Sequence, residues 1–398
     1  MEYDVHNYKR RMEGQLRLIK LSKKISRSNK DLIFRFRDDR LARGLSYGRL
    51  ARYMSDLKSL ATWLGKDFQV ATVEDLKGLA LRIEQMPYKP STKRDLKITL
   101  KKFFQFLKNT EDMPEELRWM KIVDKKINKK LPEELLTEDE VRTLIDSADN
   151  PRDKAFLAVL YESGCRIGEI LSLRVKNAIF DNYGAFLMVN GKTGPRRVRI
   201  ISSVPLLTAW LNQHPRKHVI EAPLWVNRRL LRTEQLSYGG ATTLLIKLSR
   251  RANLTKPVNP HNFRHSRATY LANHLTEAQM KEYFGWVQAS EMASIYVHLS
   301  GRDIDNAILK TYGLQSKNNG KQESILKPVA CQRCSESNPS TNKYCLRCGF
   351  PLDEQERLRQ FESSLKRSEA DRIMDVLIKD DEFRSMLERK LKELILSE

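Results

Sequence analysis

His261-Asn-Phe-Arg264-His265-Ser-Arg267-Ala-Thr269 places two imidazoles and two guanidiniums within nine residues. Upstream stands Tyr161-Glu-Ser-Gly-Cys165-Arg166-Ile-Gly-Glu169-Ile-Leu171, read as a helix whose apolar residues face inward. Downstream stand Tyr283-Phe-Gly-Trp286 and, ten residues after the tryptophan, Ile295-Tyr296-Val-His298. These residue types suit attack on a phosphodiester without a metal. Such a reaction needs a nucleophile, a proton for the leaving oxygen and preorganised donors for the charge of the phosphorus centre. Arginine answers the charge because its planar fork holds two phosphate oxygens and stays protonated.

Between these stretches, Ala185-Phe-Leu-Met-Val189 and Arg197-Val-Arg-Ile-Ile201 read as two strands. Asn190-Gly-Lys192-Thr-Gly-Pro195 forms the turn between them. Helices are expected elsewhere from Thr137 to Gly313, starting with a capping-box pattern at Thr137 and Glu140. The first 120 or so residues also read as helices. Leu50, Tyr53, Leu57, Leu60 and Leu64 make one apolar stripe, and Leu96, Leu100, Phe103 and Leu107 another. Arg49, Arg52 and Lys58 lie off the first stripe, and Lys93, Arg94, Lys97, Lys101 and Lys102 off the second. Alone, each set reads as a solvated basic face; beside the motifs above, it reads as a side that meets DNA.

The chain is 398 residues long with a net charge of +22, which favours a polyanionic partner. Residues 353–398 hold 13 acidic and 10 basic side chains, so the surplus lies in the first 352. No apolar run approaches the roughly 18 residues that span a bilayer, and Met1 to Arg10 lacks a signal-peptide stretch. A cytoplasmic protein with no membrane partner is expected.

Four of the five cysteines fall at Cys331, Cys334, Cys345 and Cys348. Two Cys-x₂-Cys pairs can direct four thiolates to one tetrahedral zinc ion, and Gly349 permits the turn after the second pair. Two disulfides or an iron–sulfur site are the alternatives. Four filled positions leave none open for catalysis, so the expected zinc is structural. Beyond this ribbon, Leu358, Phe361 and Leu365, then Phe383, Leu387, Leu391 and Leu394, give helical stripes that must bury on the chain itself or on a partner.

The three boxes and the hairpin lysine resemble, in kind and in order, those of the tyrosine recombinases, the family of phage integrases and Xer recombinases. The resemblance covers about residues 30 to 313. The appended ribbon lies outside it and is more suggestive of archaeal integrase-like proteins. The resemblance implies that Arg166 and Arg264 clamp the scissile phosphate and that Lys192 protonates the leaving 5′-oxygen. It implies that His261 assists proton transfer with the tyrosine, as a general base in cleavage. Tyr296 would form a 3′-phosphotyrosine, so that neither ATP nor Mg²⁺ is required. Trp286 occupies a position more often held by histidine; its indole N–H donates a hydrogen bond but transfers no proton. Taken singly, Arg166 reads as half of a salt bridge, Lys192 as a turn residue, His261 as a carbonyl partner and Tyr296 as core. Lys217 and Arg197 compete with Lys192 for its role. Glu169 is read as support and Cys165 as packing.

The expected class is mainly α with a small antiparallel β-sheet. It comprises a helical N-terminal core-binding domain (1–123), a linker (124–136) and an α+β catalytic domain (137–313). A second linker (314–328), a zinc ribbon (329–352) and a C-terminal helical segment (353–398) follow. By resemblance the partners are double-stranded DNA recombination sites, bound by a homotetramer that clamps duplex DNA and passes through a Holliday junction. A topoisomerase of type IB and a DNA-binding regulator without catalysis are the rival functions.

Overall fold

A computed structural model of the chain describes residues 5–122, 134–227, 234–299 and 324–395, with the side chains of 297–299, 360 and 391–395 left aside. The lysine-rich stretch 124–131, Pro132 and residues 314–323, all assigned to linkers above, lie outside the described residues. So do the side chains of His298, Leu391 and Leu394. The chain forms two compact units, Met1–Leu131 and Pro132–Glu398.

The first unit is built from five helices: α1 (Tyr8–Leu21), α2 (Arg27–Ala42), α3 (Tyr47–Leu64), α4 (Val73–Gln85) and α5 (Pro90–Leu107). The two apolar stripes read from the sequence supply its core. Leu50, Leu57, Leu60, Leu100 and Phe103 are fully buried, with Leu64 and Leu107 packed at the margin. Phe103 meets Phe36 and Phe68 edge-on, at 5.3 and 4.8 Å between ring centres. The basic faces are partly neutralised within the unit. Arg52 pairs with Asp56 and Asp95 at 2.9 and 3.2 Å, and Lys97 with Glu84 at 2.7 Å, whereas Arg49 and Lys102 are exposed.

The second unit turns on one helix. It opens with α6 (Glu138–Asp146), whose Thr137–Glu140 capping box forms as the sequence predicts. Next, α7 (Pro151–Ser163) is buried on nearly every side, its Arg152, Asp153 and Glu162 included. Gly164, with φ +55°, ends it and turns the chain so that Arg166 caps the short α8 (Ile167–Leu171). An antiparallel sheet follows in the order β1 (Ala178–Asp181), β2 (Gly184–Gly191) and β3 (Gly194–Ile200). The β2–β3 ladder is tighter than the sequence suggests. It closes on the pair Gly191–Gly194, so the turn is Lys192 and Thr193 alone.

The helices α9 (Val204–Asn212), α10 (Tyr238–Arg251), α11 (Pro260–Ala272), α12 (Glu277–Phe284) and α13 (Met292–Leu299) complete this part. Asn259 starts α11 by accepting the Asn262 N–H, with Pro260 at its first position, so the helix begins where the His261 box begins. A two-stranded ribbon, β4 (Val329–Ala330) with β5 (Ser337–Asn338), precedes α14 (Glu354–Leu377) and α15 (Asp381–Ile395). The expected class, mainly helical with a small antiparallel sheet, is the class found. Among the described residues no helix is long and apolar enough to cross a membrane.

Candidate active site

Within the second unit the predicted residues come from α8, the β2–β3 turn, α11, the loop after α12 and α13. Arg264, 6% exposed on α11, reaches across to the ends of two other helices. Its Nη1 donates to the Gly164 carbonyl at 2.9 Å and its Nη2 to the Phe284 carbonyl at 2.7 Å. A cation is favoured there because the last carbonyls of a helix carry its negative dipole end. The guanidinium also lies 5.0 Å from the Phe284 ring and 5.5 Å from the Trp286 ring. Burial, and then the charge of Arg166, push its pKa down to about 10.

Arg166 comes to the same place from the start of α8. Its Nη2 donates to the Gly285 carbonyl at 3.3 Å and its Nη1 to Glu169 Oε1 at 3.0 Å, while its backbone N–H donates to Glu169 Oε2 at 2.8 Å. Glu169 is 4% exposed and takes a second fork from Arg196 on β3, at 3.0 and 2.8 Å. Burial alone would raise the Glu169 carboxyl, but the Arg196 and Arg166 bonds outweigh it and hold the group below the ordinary carboxylate range. Arg196 donates its Nε to the Tyr283 carbonyl at 3.0 Å. Gly285 is held at φ +61°, and a Cβ on it would sit 2.7 Å from Arg196 Nη1, so both conformation and space demand glycine. Arg166 and Arg196 thus share one carboxylate, and Arg264 adds a third cation held by carbonyls alone. A surplus of buried positive charge of this kind is costly unless an anion joins it.

Tyr296 on α13 stands beside this cluster, 3% exposed. Its ring stacks on Trp286 at 5.5 Å with the planes 2° apart, and Trp286 stacks in turn on Phe284 at 4.9 Å. Burial pushes the Tyr296 hydroxyl up to about 12, partly offset by the Arg264 charge. The hydroxyl bonds to Nδ1 of His265. His261, one helical turn earlier and exposed, packs its ring edge-on against His265 at 4.1 Å. Lys192 is exposed at the hairpin tip, and its neighbour Thr193 donates to the Gly285 carbonyl at 3.4 Å. The two competitors stand elsewhere: Lys217 lies in the turn after α9, and Arg197 lies over the Phe186 ring on the sheet.

A model of the phage integrase family matches residues 134–302, the stretch that carries all of these groups. The tyrosine recombinase XerA of Pyrococcus horikoshii is 32% identical over 214 residues, which are 53% of this chain and 70% of that protein. The chain belongs to the phage integrase family of tyrosine recombinases. Solved structures agree in fold. XerH recombinase bound to its palindromic difH substrate, in a post-cleavage complex, matches 78% of this chain and 98% of its own, with a TM-score of 0.55 and 17% identity. A lambda integrase tetramer bound to a Holliday junction matches 69% of this chain and 78% of its own, with a TM-score of 0.52 and 16% identity.

The recombinase carries its cysteine quartet outside the matched stretch. The four Sγ atoms lie within 4.8 Å of one another, with Cys331–Cys348 and Cys334–Cys345 each at 3.6 Å. These separations are too long for disulfides and close to the roughly 3.8 Å edge of a tetrahedron with zinc–sulfur bonds of about 2.3 Å. The two halves repeat one turn. Arg333 and Arg347 each donate a backbone N–H at 3.4 Å to the sulfur two residues before them. Ser335 and Gly349 then close the turns at φ +59° and +70°. The donor set therefore fits a zinc ion.

Two groups of the recombinase's site escaped the sequence reading. Arg196 was not singled out, because a charged residue on a short strand gives no sign of the carboxylate it will meet. His265 was seen but not connected to the tyrosine, because that contact joins residues 31 apart in the chain.

Proposed function

We propose that this site-specific recombinase cuts and rejoins double-stranded DNA through a 3′-phosphotyrosine intermediate, with no need of ATP or Mg²⁺. The observation that carries this is the charge of Arg166 and Arg196 on the one carboxylate of Glu169, with the buried Arg264 beside them held by carbonyls and acting by its charge on Tyr296. A scissile phosphate would supply the missing anion. Arg166 and Arg264 would bind its non-bridging oxygens, and Trp286 would pack against the tyrosine and donate its indole N–H. Tyr296 would attack phosphorus, and Lys192, on its exposed turn, would protonate the leaving 5′-oxygen. His261 belongs to the same constellation, in the proton-transfer role that the resemblance gives it. Attack of the freed 5′-hydroxyl on the phosphotyrosine conserves the bond energy and reseals a strand.

The fold shared with lambda integrase supports strand exchange by four protomers through a Holliday junction. DNA binding in the cytoplasm would rest on phosphate contacts from both basic units, residues 1–123 and 137–313, and so fall steeply with salt. Zinc on Cys331, Cys334, Cys345 and Cys348 would fix the ribbon at residues 329–352, while residues 353–398 would serve contacts between protomers. The test is incubation with nicked duplexes carrying candidate sites. A covalent protein–DNA adduct is expected from the wild type and none from Tyr296→Phe. Persistence of the adduct in that variant would falsify the mechanism, and relaxation of plasmid without site preference would favour a topoisomerase instead.

A further inference from the structure

We infer that Gly191 and Thr193, on either side of Lys192, are positioning residues that seat the hairpin tip against the arginine site and so aim Lys192 at the leaving oxygen. This rests on the proposed phosphotyrosine chemistry, in which Lys192 is the acid, and adds to it what aims that acid.

Lys192 is exposed on a two-residue turn, and a lysine carries its charge on a long, flexible stem. An acid acts only within hydrogen-bond reach of the atom it protonates, so the turn itself must be held. It is held on both sides. Before the lysine, the Gly191 backbone lies against Glu169: a Cβ there would stand 2.3 Å from Glu169 Oε1 and 3.1 Å from Arg196 Nη1. Gly191 is not at positive φ, so space alone asks for glycine. After the lysine, Thr193 donates its hydroxyl to the Gly285 carbonyl at 3.4 Å, the oxygen that also takes Arg166 Nη2 at 3.3 Å. Further along β3, Arg196 forks onto Glu169 and donates its Nε to the Tyr283 carbonyl at 3.0 Å. The carboxylate that meets Gly191 and the carbonyl that meets Thr193 are thus the two groups that hold the Arg166 guanidinium. The acid and an arginine that binds the phosphate are referenced to one support. Gly194 differs: at φ +100° it has nothing within 4 Å of a Cβ, so it serves the turn and not the seat.

In cleavage the Tyr296 oxygen bonds to phosphorus as its proton passes to the base, and the bond from phosphorus to the 5′-oxygen breaks. The bonding pair stays on that oxygen, which takes a proton from the Lys192 ammonium and leaves a neutral amine. In rejoining, the 5′-hydroxyl attacks, its proton returns to the amine, and the departing phenolate recovers its own proton from the base.

A 5′-bridging sulfur at the scissile position separates aim from structure, because a thiolate leaves without needing a proton. Single-turnover adduct formation is measured on a nicked duplex that gives an adduct with the wild type, and on its sulfur-bridged counterpart. Lys192→Ala, the reference, should be slower by about 100-fold or more on oxygen and regain most of the wild-type rate on sulfur. Gly191→Ala forces the hairpin away from Glu169 and should follow it, with a loss of about 100-fold on oxygen that sulfur largely restores. Thr193→Val should lose about 3- to 10-fold on oxygen, as for one hydrogen bond, and recover on sulfur; Thr193→Ser keeps the hydroxyl and should regain the loss on oxygen. Arg166→Ala should be slow on both duplexes. Binding of each duplex, measured alongside, confirms that the variants are folded, and Thr193→Val carries the test if Gly191→Ala does not bind. The inference is overturned if the variants lose as much on sulfur as on oxygen, since the contacts then serve the arginines or the fold, or if both Gly191→Ala and Thr193→Val keep the wild-type rate on oxygen. A Lys192→Ala that sulfur does not restore would remove Lys192 as the acid, and the inference with it. An adduct from Tyr296→Phe would instead overturn the phosphotyrosine reading itself.

Discussion

The arginine site and the cysteine quartet are two ways of holding charge in one unit, and they are built in opposite manner. The quartet draws four sulfurs from residues 331 to 348, a local stretch with the same turn used twice. Its donors face one another and close. The arginine site draws Arg166, Arg196 and Arg264 from three elements distant in the chain, and ties them to carbonyls at the ends of α7 and α12 and to the buried carboxylate of Glu169. Its charges do not cancel. A closed set suits an ion that only stabilises; a set left positive suits an anion that arrives, reacts and leaves.

The largest test of this contrast compares Arg264→Ala with Cys334→Ser. Adduct formation on a nicked duplex should fall about 10²- to 10³-fold in the first, as for loss of a preorganised donor. It should survive in the second, where bound zinc, measured by elemental analysis, is lost instead. A cysteine variant as inactive as the arginine variant would mean that the two sites are not separate in function.

Glu169→Gln comes next. Removing the carboxylate leaves Arg196, 9% exposed, without its anion. Stability should drop by about 3–5 kcal/mol, the usual cost of breaking a buried pair from one side. The pH dependence has a definite sign. Glu169 has a folded pKa below its unfolded value of about 4.3, so its contribution is fully present above that value and is lost as pH falls through the folded one. In urea melts the gap between wild type and variant should be full at pH 6 and narrow below about pH 4. A gap that does not change with pH would show that Glu169 acts through packing alone.

How far the sequence reaches differs between the two sites for the same reason. The quartet was legible whole, since spacing of near neighbours is what a local metal knuckle requires. Arg166, Arg264, Trp286 and Tyr296 were legible because their boxes recur in one order in a known family, and the fold brings them together. Arg196 and the bond from His265 were not, since they depend on how β3, α8, α11 and α13 pack. The strand β1 also went unread: its neighbours Ile179 and Phe180 are both apolar and both exposed, so no alternation marks the segment. In the first unit, apolar periodicity found the core but could not foresee that Lys97 and Arg52 would be spent on Glu84 and Asp56.

A smaller effect should separate the two halves of the quartet itself. Ser335 holds φ +59° at the position that Gly349 holds in the repeat. A non-glycine residue there costs roughly 1 kcal/mol, so Ser335→Gly should tighten zinc binding by several-fold in a chelator competition, with adduct formation unchanged. No gain would mean that the serine's conformation is already compensated locally.

The smallest effect belongs to the helix after the ribbon, where a stripe legible in the sequence finds nothing to cover it among the described residues. Leu358, Phe361 and Leu365 are 57, 63 and 54% exposed on α14. Had they packed on their own unit, Phe361→Ser would cost several kcal/mol. As they stand, Leu358→Ser and Phe361→Ser should each change the stability of the isolated chain by no more than about 0.5 kcal/mol. If these residues instead serve contacts between protomers, the same two changes should weaken synapsis of two DNA sites while binding of one site holds. A large loss of stability at low protein concentration, with synapsis unaffected, would return the stripe to the chain's own core.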